Sequence, residues 1–197
     1  MTEADAPRFR QGAGRLCLDF LRTLRHRGTP SATERLPEPA ALAAWVGQFG
    51  PYGPGSVVAP SGTQVREAQR LREAIYDLLT AARSSDGAGS GRPDARNQVN
   101  RVAAHPVPVP RLDASGQLTW HADEPVAAVL ALVARDALDL SISDAIARVR
   151  HCANPDCRVM FLDSSRPGTR RWCSMNACGN LAKKQALRGR PSARDSQ

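Results

Sequence analysis

Cys152-Ala-Asn-Pro-Asp-Cys157 and Cys173-Ser-Met-Asn-Ala-Cys178 repeat one spacing, C-x4-C, with fifteen residues between the two pairs. One tetrahedral Zn²⁺ needs four donors from two turns, and a loop of this length costs little entropy to close. His151 adjoins Cys152 and is an alternative donor, but a neighbour in the same turn reaches the same ion poorly. The spacing therefore favours one Zn²⁺ held by Cys152, Cys157, Cys173 and Cys178. Four protein thiolates leave no open coordination position, so the expected zinc is structural rather than hydrolytic. Metal binding of this kind supplies on the order of 10 kcal/mol to a segment too small to fold unaided. Cys17 is remote in sequence and reads as a small core residue.

The same stretch is basic. Residues 151–197 hold 9 Lys and Arg against 3 Asp and Glu, so +6 of the chain's net +8 lies in its last quarter. A basic run coincident with a metal site points to nucleic acid before catalysis. No run of about 18 apolar residues is present, so no membrane span is expected. The first residues lack the basic and apolar regions of a secretory signal, which gives a cytoplasmic expectation. In a reducing compartment, paired cysteines favour metal over disulfide. Nucleophile–base orders, paired carboxylates and phosphate-loop lysines do not emerge from the pattern, and no enzymatic role is expected.

Upstream of the cysteines the periodicity is helical, and the expected fold is mainly α with a small β-hairpin. Helices are expected at Gly14 to His26, Glu38 to Phe49, Ser61 to Arg83, Pro93 to Ala104 and Glu124 to Leu140. In the third, Ser61 is the N-cap and Val65, Ala68, Leu71, Ile75, Leu78 and Leu79 form the apolar stripe. Prolines before Leu112 and the turn Asp113-Ala-Ser-Gly predict a hairpin with its first strand on an edge. A short sixth helix over Ser143 to Val149 would deliver the chain to Cys152. The division is a helical domain over 1–147, a zinc-binding hairpin-helix module over 148–190, and a flexible tail over 191–197. The module's own hairpin is expected to run from Val159-Met-Phe-Leu162, through Ser164-Ser-Arg-Pro-Gly, back along Arg170-Arg-Trp-Cys173. A helix begins at Cys178 and ends near Arg188.

On that last helix Asn180, Lys184 and Arg188 share a face, Lys183 lies beside them, and Leu181, Ala182 and Ala186 can pack inward. Arg166, Arg170 and Arg171 come from the hairpin. Together these residues are the candidate contacts to double-stranded DNA, the helix in a groove and the arginines on phosphates. A two-fold dimer is expected because DNA sites are often symmetric. In the helical domain, Arg15, Asp19 and Arg22 would form a polar group ringed by Trp45, Tyr76 and Trp120, with Asn100 as a further donor. Such a pocket would take a small-molecule effector. Two other readings remain open: a small-molecule-binding protein or enzyme in which the zinc module is only a scaffold, and a protein adaptor docking through an exposed patch around Phe161 and Trp172.

The run Cys152-x4-Cys157-x3-Phe161-Leu-Asp163-x-Ser165, followed by Arg170-Arg-Trp-Cys-Ser-Met-Asn-Ala-Cys-Gly-Asn180, resembles the CGNR zinc-finger family of bacteria. Leu16-Cys-Leu-Asp-Phe-Leu-Arg-Thr23, Asn100-Arg-Val-Ala-Ala and the Pro110-Arg-Leu and Leu118-Thr-Trp strands resemble that family's companion region, the ABATE domain. The resemblance implies a stress-induced transcriptional regulator with a DNA-binding zinc module and a sensory helical domain. The chain departs from the pattern twice. Leu181 stands where Cys-Gly-Asn-Arg has its arginine, and Arg22 stands where Leu-Asp-Phe-x-Asn-Thr has its asparagine.

Overall fold

A computed structural model describes residues 9–52 and 59–188. The expected 191–197 tail lies outside them, as do the last two residues of the expected 148–190 module.

The helical body is built around α3 (Gly62–Ala82), α4 (Pro93–Ala103) and α5 (Pro125–Ile142), which pack on one another. The start of α3 is fixed by a capping box. Ser61 Oγ accepts from Gln64 N at 3.2 Å, and Gln64 Oε1 accepts from Ser61 N at 2.8 Å. Its stripe Val65, Ala68, Leu71, Ile75, Leu78 and Leu79 is buried as the periodicity requires. Facing it, α5 buries Val126, Val129, Leu130, Val133, Ala134, Ala137 and Leu140. α1 (Leu16–Leu21) and α2 (Pro39–Phe49) complete the body, with α1 against α3 and α5.

α1 is shorter than the periodicity of residues 14–26 implies. Thr23 sends both its N–H and its hydroxyl to the Phe20 carbonyl, at 3.1 and 2.8 Å, which closes the last turn. The chain then pairs as β1 (Leu24–Arg25) with β2 (Thr33–Glu34), and His26 adopts a left-handed φ of 52°. Glu34 is gripped from α3. Arg72, 3% exposed, donates to its two carboxylate oxygens at 2.7 and 2.6 Å and to Thr23 Oγ1 at 3.2 Å.

The expected hairpin is present as β3 (Val109–Leu112) and β4 (Leu118–His121), with Pro110 opposite Trp120 and Leu112 opposite Leu118. All eight of these residues are exposed. After α5 the expected short sixth helix is present as a 3₁₀ helix, Asp144–Arg148.

The zinc-module hairpin differs from the expected one. Strand β6 (Met160–Leu162) pairs antiparallel with β5 (Val149–His151), not with the 170–173 segment. The first cysteine pair sits in the loop of that hairpin. Residues around 171 lie alongside it through one bond, Ala153 N to Arg171 O at 2.8 Å. The registry follows from burial: Val149, Met160 and Phe161 are apolar and almost fully enclosed, whereas Arg170 and Arg171 are not. A five-residue wide turn, Met175–Gly179, leads into α6 (Asn180–Arg188).

Module and body share one hydrophobic core. Val149, Met160, Phe161 and the four module cysteines belong to the same buried cluster as Phe20, Leu71 and Leu140. At the seam, Leu162 N donates to Ala13 O at 2.8 Å. Gly14, at φ +95°, lies so close that a Cβ there would stand 2.9 Å from Leu162 Cβ.

Candidate metal centre and nucleic-acid interface

The β5–β6 loop makes the first ligand turn. Asn154 Oδ1 accepts from Asp156 N at 3.0 Å, Asn154 O accepts from Cys157 N at 2.9 Å, and Arg158 turns the chain at φ 49°. The second pair comes from Cys173 and from the wide turn that precedes α6. All four sulfurs lie within 4.8 Å of one another and all four residues are buried. Cys173 Sγ is 3.7 Å from Cys157 Sγ and 3.8 Å from Cys178 Sγ. Tetrahedral Zn–S bonds of about 2.3 Å place sulfurs about 3.8 Å apart, so the residues present fit the ion.

The chemistry of the donor set agrees. The Cys152 thiol is held well below the ordinary thiol range by its contacts to Cys157 and then Cys173. Its ionisation in turn pushes Cys157 up to about 11, and Cys173, beside Cys152 and Cys157, higher still. Four sulfurs this close hold four negative charges only around a cation. Two amides are aimed at the sulfurs: Cys173 N lies 3.5 Å from Cys152 Sγ, and Asn154 Nδ2 lies 3.6 Å from Cys178 Sγ. His151 is outside the group. Its Nδ1 is 3.1 Å from Arg158 O, and its ring meets the edge of Tyr76.

Asp163 organises the rest of the module. Fully enclosed, its carboxylate accepts from Ser165 N and Oγ at 3.0 and 2.6 Å and from Arg170 N at 2.9 Å. The Ser165 hydroxyl foremost, with the backbone donors and Arg150, holds this carboxyl below its usual range. Its place in the motif was readable, whereas its role as the hub of the 163–170 loop depends on the fold.

The candidate DNA contacts divide. Asn180, Lys183, Lys184 and Arg188 are all exposed on α6, and Arg166 and Arg171 are exposed on the loop before Cys173. Arg171 lies over the Trp172 ring at 5.2 Å. Arg170 is used internally: it donates to Trp172 O at 2.8 Å and lies 4.8 Å over the Phe161 ring. Leu181 and Ala186 do not pack inward as expected. Both are exposed, whereas Ala182 is half-buried. Phe161 is fully buried, which removes it from any surface patch.

Of the expected pocket residues of the helical domain, Asp19 and Arg22 meet, but the aromatic residues and Asn100 do not ring them. Trp45 is a core residue, stacked on Phe49 and edge-on to Phe20. Tyr76 lies under Arg27, Trp120 is on the exposed hairpin, and Asn100 is exposed on α4. Arg15 donates to Asp136 at 2.7 Å and Asp139 at 2.6 Å, tying α1 to α5. Asp19 accepts from Ala13 N at 2.9 Å and Arg22 at 3.2 Å. Arg22 does line a cavity, but at the seam: a cleft of about 390 Å³ between β1 and α6, whose walls include Arg10, Arg25, His26, Asn180 and Lys184. Both positions that depart from the family pattern, Arg22 and Leu181, face this cleft. Arg10, Arg25 and His26 carried no readable signal beyond a short basic run, because their meeting with α6 spans some 150 residues of chain.

Comparison with protein families places this geometry. One family model, described as "Putative stress-induced transcription regulator" and named ABATE, matches residues 14–144. The chain belongs to the ABATE family. A second model, the CGNR zinc finger, matches residues 148–191, in the order the ABATE domain and cysteine cluster require. The boundary between the matches falls at the short turn before β5. No curated protein matches the chain. Among the described residues no helix is long and apolar enough to cross a membrane.

Proposed function

We propose that this ABATE–CGNR protein is a transcription regulator that binds double-stranded DNA through α6. The observation that carries the reading is the state of that helix. It starts two residues after the last cysteine, contains no acidic residue, and presents Asn180, Lys183, Lys184 and Arg188 to solvent. Arg166 and Arg171, exposed on the loop before Cys173, would hold phosphates while α6 lies in a groove. One zinc ion fills the Cys152, Cys157, Cys173 and Cys178 shell and fixes the helix on the body. It supplies structure, not chemistry, because four thiolates leave no site for water. The free thiols suit a reducing, cytoplasmic setting. A two-fold dimer is part of this reading, and sedimentation velocity of the zinc-loaded chain tests it.

The deciding experiment is duplex binding over a salt series. About four neutralised phosphates give a log K against log[salt] slope of about −3.6. The pair Lys184→Glu and Arg188→Glu abolishes binding with zinc content unchanged. Absence of duplex binding at low salt sinks the reading, and unchanged affinity in the double variant places the contact elsewhere.

A further inference from the structure

The cleft at the seam differs from the groove between α3, α4 and α5 in the sign of its walls. The groove between α3, α4 and α5, about 460 Å³, mixes Arg70 and Arg101 with Glu67 and Glu124. The seam cleft is lined by Arg10, Arg22, Arg25 and Lys184, and by no carboxylate. Arg22 is answered by Asp19 from behind the wall. Arg10, Arg25 and Lys184 form no ion pair among the described residues. Arg25 is half-buried. Burial first, and then the charges of Arg10, Arg35 and Arg22, press its guanidinium below its usual range. Like charges crowded without a partner are destabilising, and an anion between them relieves the repulsion.

The zinc centre accounts for only part of this charge. A tetrathiolate Zn²⁺ carries a net of two negative charges, and Cys157, Cys173 and Cys178 are among the residues that line the cleft. Three unpaired lining cations, with Arg35 beside them, exceed that. The rest of the wall is suited to an organic body: Val159, Ala177 and Leu181 are apolar, and Asn176 and Asn180 are amide donors. The volume is within the range of small-ligand sites. The cleft is also built across both parts of the chain. His26, in its left-handed conformation, donates from Nδ1 to Asp156 O in the first ligand turn, which holds β1 against the zinc knuckle.

We propose that this cleft binds a small organic molecule carrying a phosphate group, with the phosphate between Arg10, Arg25 and Lys184 and the organic part against Val159, Ala177 and Leu181. Because Asn180 and Lys184 belong to α6, such a ligand competes with DNA for that helix. This last step rests on the DNA-binding reading above, whereas binding of the ligand itself does not.

The same phosphate chemistry is available from a free molecule and from the DNA backbone, and the test separates them. Phenyl phosphate, which pairs a phosphate with an apolar ring, is titrated into the zinc-loaded full chain by calorimetry at fixed ionic strength, with no DNA present. Saturable one-to-one binding is expected, tighter than that of inorganic phosphate. Arg25→Gln and Arg10→Gln each weaken it about tenfold, the size of one lost charge-assisted contact. Arg83→Gln, on the exposed end of α3, leaves it unchanged. Zinc content and melting midpoint report whether each variant is folded. Absence of saturation at millimolar phenyl phosphate overturns the proposal, as does equal weakening by Arg83→Gln. Loss of duplex binding in Arg25→Gln without any phenyl phosphate binding also overturns it, and assigns the cleft to the DNA backbone.

Discussion

Truncating Phe161 to alanine tests whether zinc binding and docking of the module are one equilibrium. Phe161 is fully enclosed on β6, in the cluster that joins the module to the helical body, and the Arg170 guanidinium lies over its ring. Removal of a buried Phe side chain costs about 3–5 kcal/mol, and loss of the cation–ring contact adds about 0.5–1. None of the four ligands is touched. If the module folds onto the body only when the metal is present, this cost appears in the zinc equilibrium. At about 1.4 kcal/mol per decade, zinc affinity falls by roughly two to four decades. Competition against a chromophoric chelator at fixed pH measures it, and Phe161→Leu should fall between wild type and Phe161→Ala. Zinc affinity within about threefold of wild type would refute the reasoning. It would mean that the module is docked before the metal arrives, or that it closes on zinc without the body.

Other consequences concern the supports of the site. Gly14→Ala places a Cβ against Leu162 at a positive φ, and should cost about 2 kcal/mol or more in urea denaturation. Gly116→Ala, also at positive φ but with nothing within 4 Å, is the control, and a cost for Gly14→Ala no larger than the control's would count against the seam contact. Glu34→Ala leaves Arg72 buried with Glu73 as its only charged partner among the described residues, and should cost about 2–3 kcal/mol and lower the melting midpoint by about 4–12 °C. Burial raises the Glu34 carboxyl, but the Arg72 and Leu36 hydrogen bonds and the Arg72 charge outweigh it and leave the group below its usual range. Its contribution is therefore complete above the unfolded value of about 4.3 and is lost as pH falls through the lower folded one. The stability of Glu34→Ala should be flatter with pH in that acid window, and a wild-type slope in the variant would remove Glu34 from the acid response.

Local chemistry was legible in the sequence and long-range placement was not. The two C-x4-C turns sit within a few residues of their own donors, so spacing alone picks out the four sulfurs that the fold brings within 4.8 Å of one another. The capping box and stripe of α3 are equally local. The end of α1 departs from the periodicity because Leu24 and Arg25 continue a helical pattern, and only their pairing with Glu34 and Thr33 turns them into a strand. β6 could have paired forward or backward on its apolar pattern. Burial of Val149 against the body decides for β5, and that burial is a property of the whole fold. Trp45 was assigned to a pocket by residue type, whereas the core takes it for its volume. The cleft joins Arg10 and Arg25 to Lys184, and no periodicity or motif connects residues so far apart.

The position of the cleft also limits how an effector could act. Regulation at a distance requires an element with two arrangements that both sites bias. Here the proposed ligand and the proposed DNA surface share Asn180 and Lys184, so the two compete directly and no relay through the core is needed. Coupling between two binding equilibria is reciprocal. Whatever factor phenyl phosphate removes from duplex affinity, saturating duplex must remove from phenyl phosphate affinity. The factor should shrink in Lys184→Gln, which takes away a shared contact, and persist in Arg166→Gln, which lies outside the cleft. Two calorimetric titrations, each in the presence and absence of the other ligand, measure it from both sides. Binding of both ligands with no mutual effect would mean that α6 meets DNA on a face other than the one that closes the cleft.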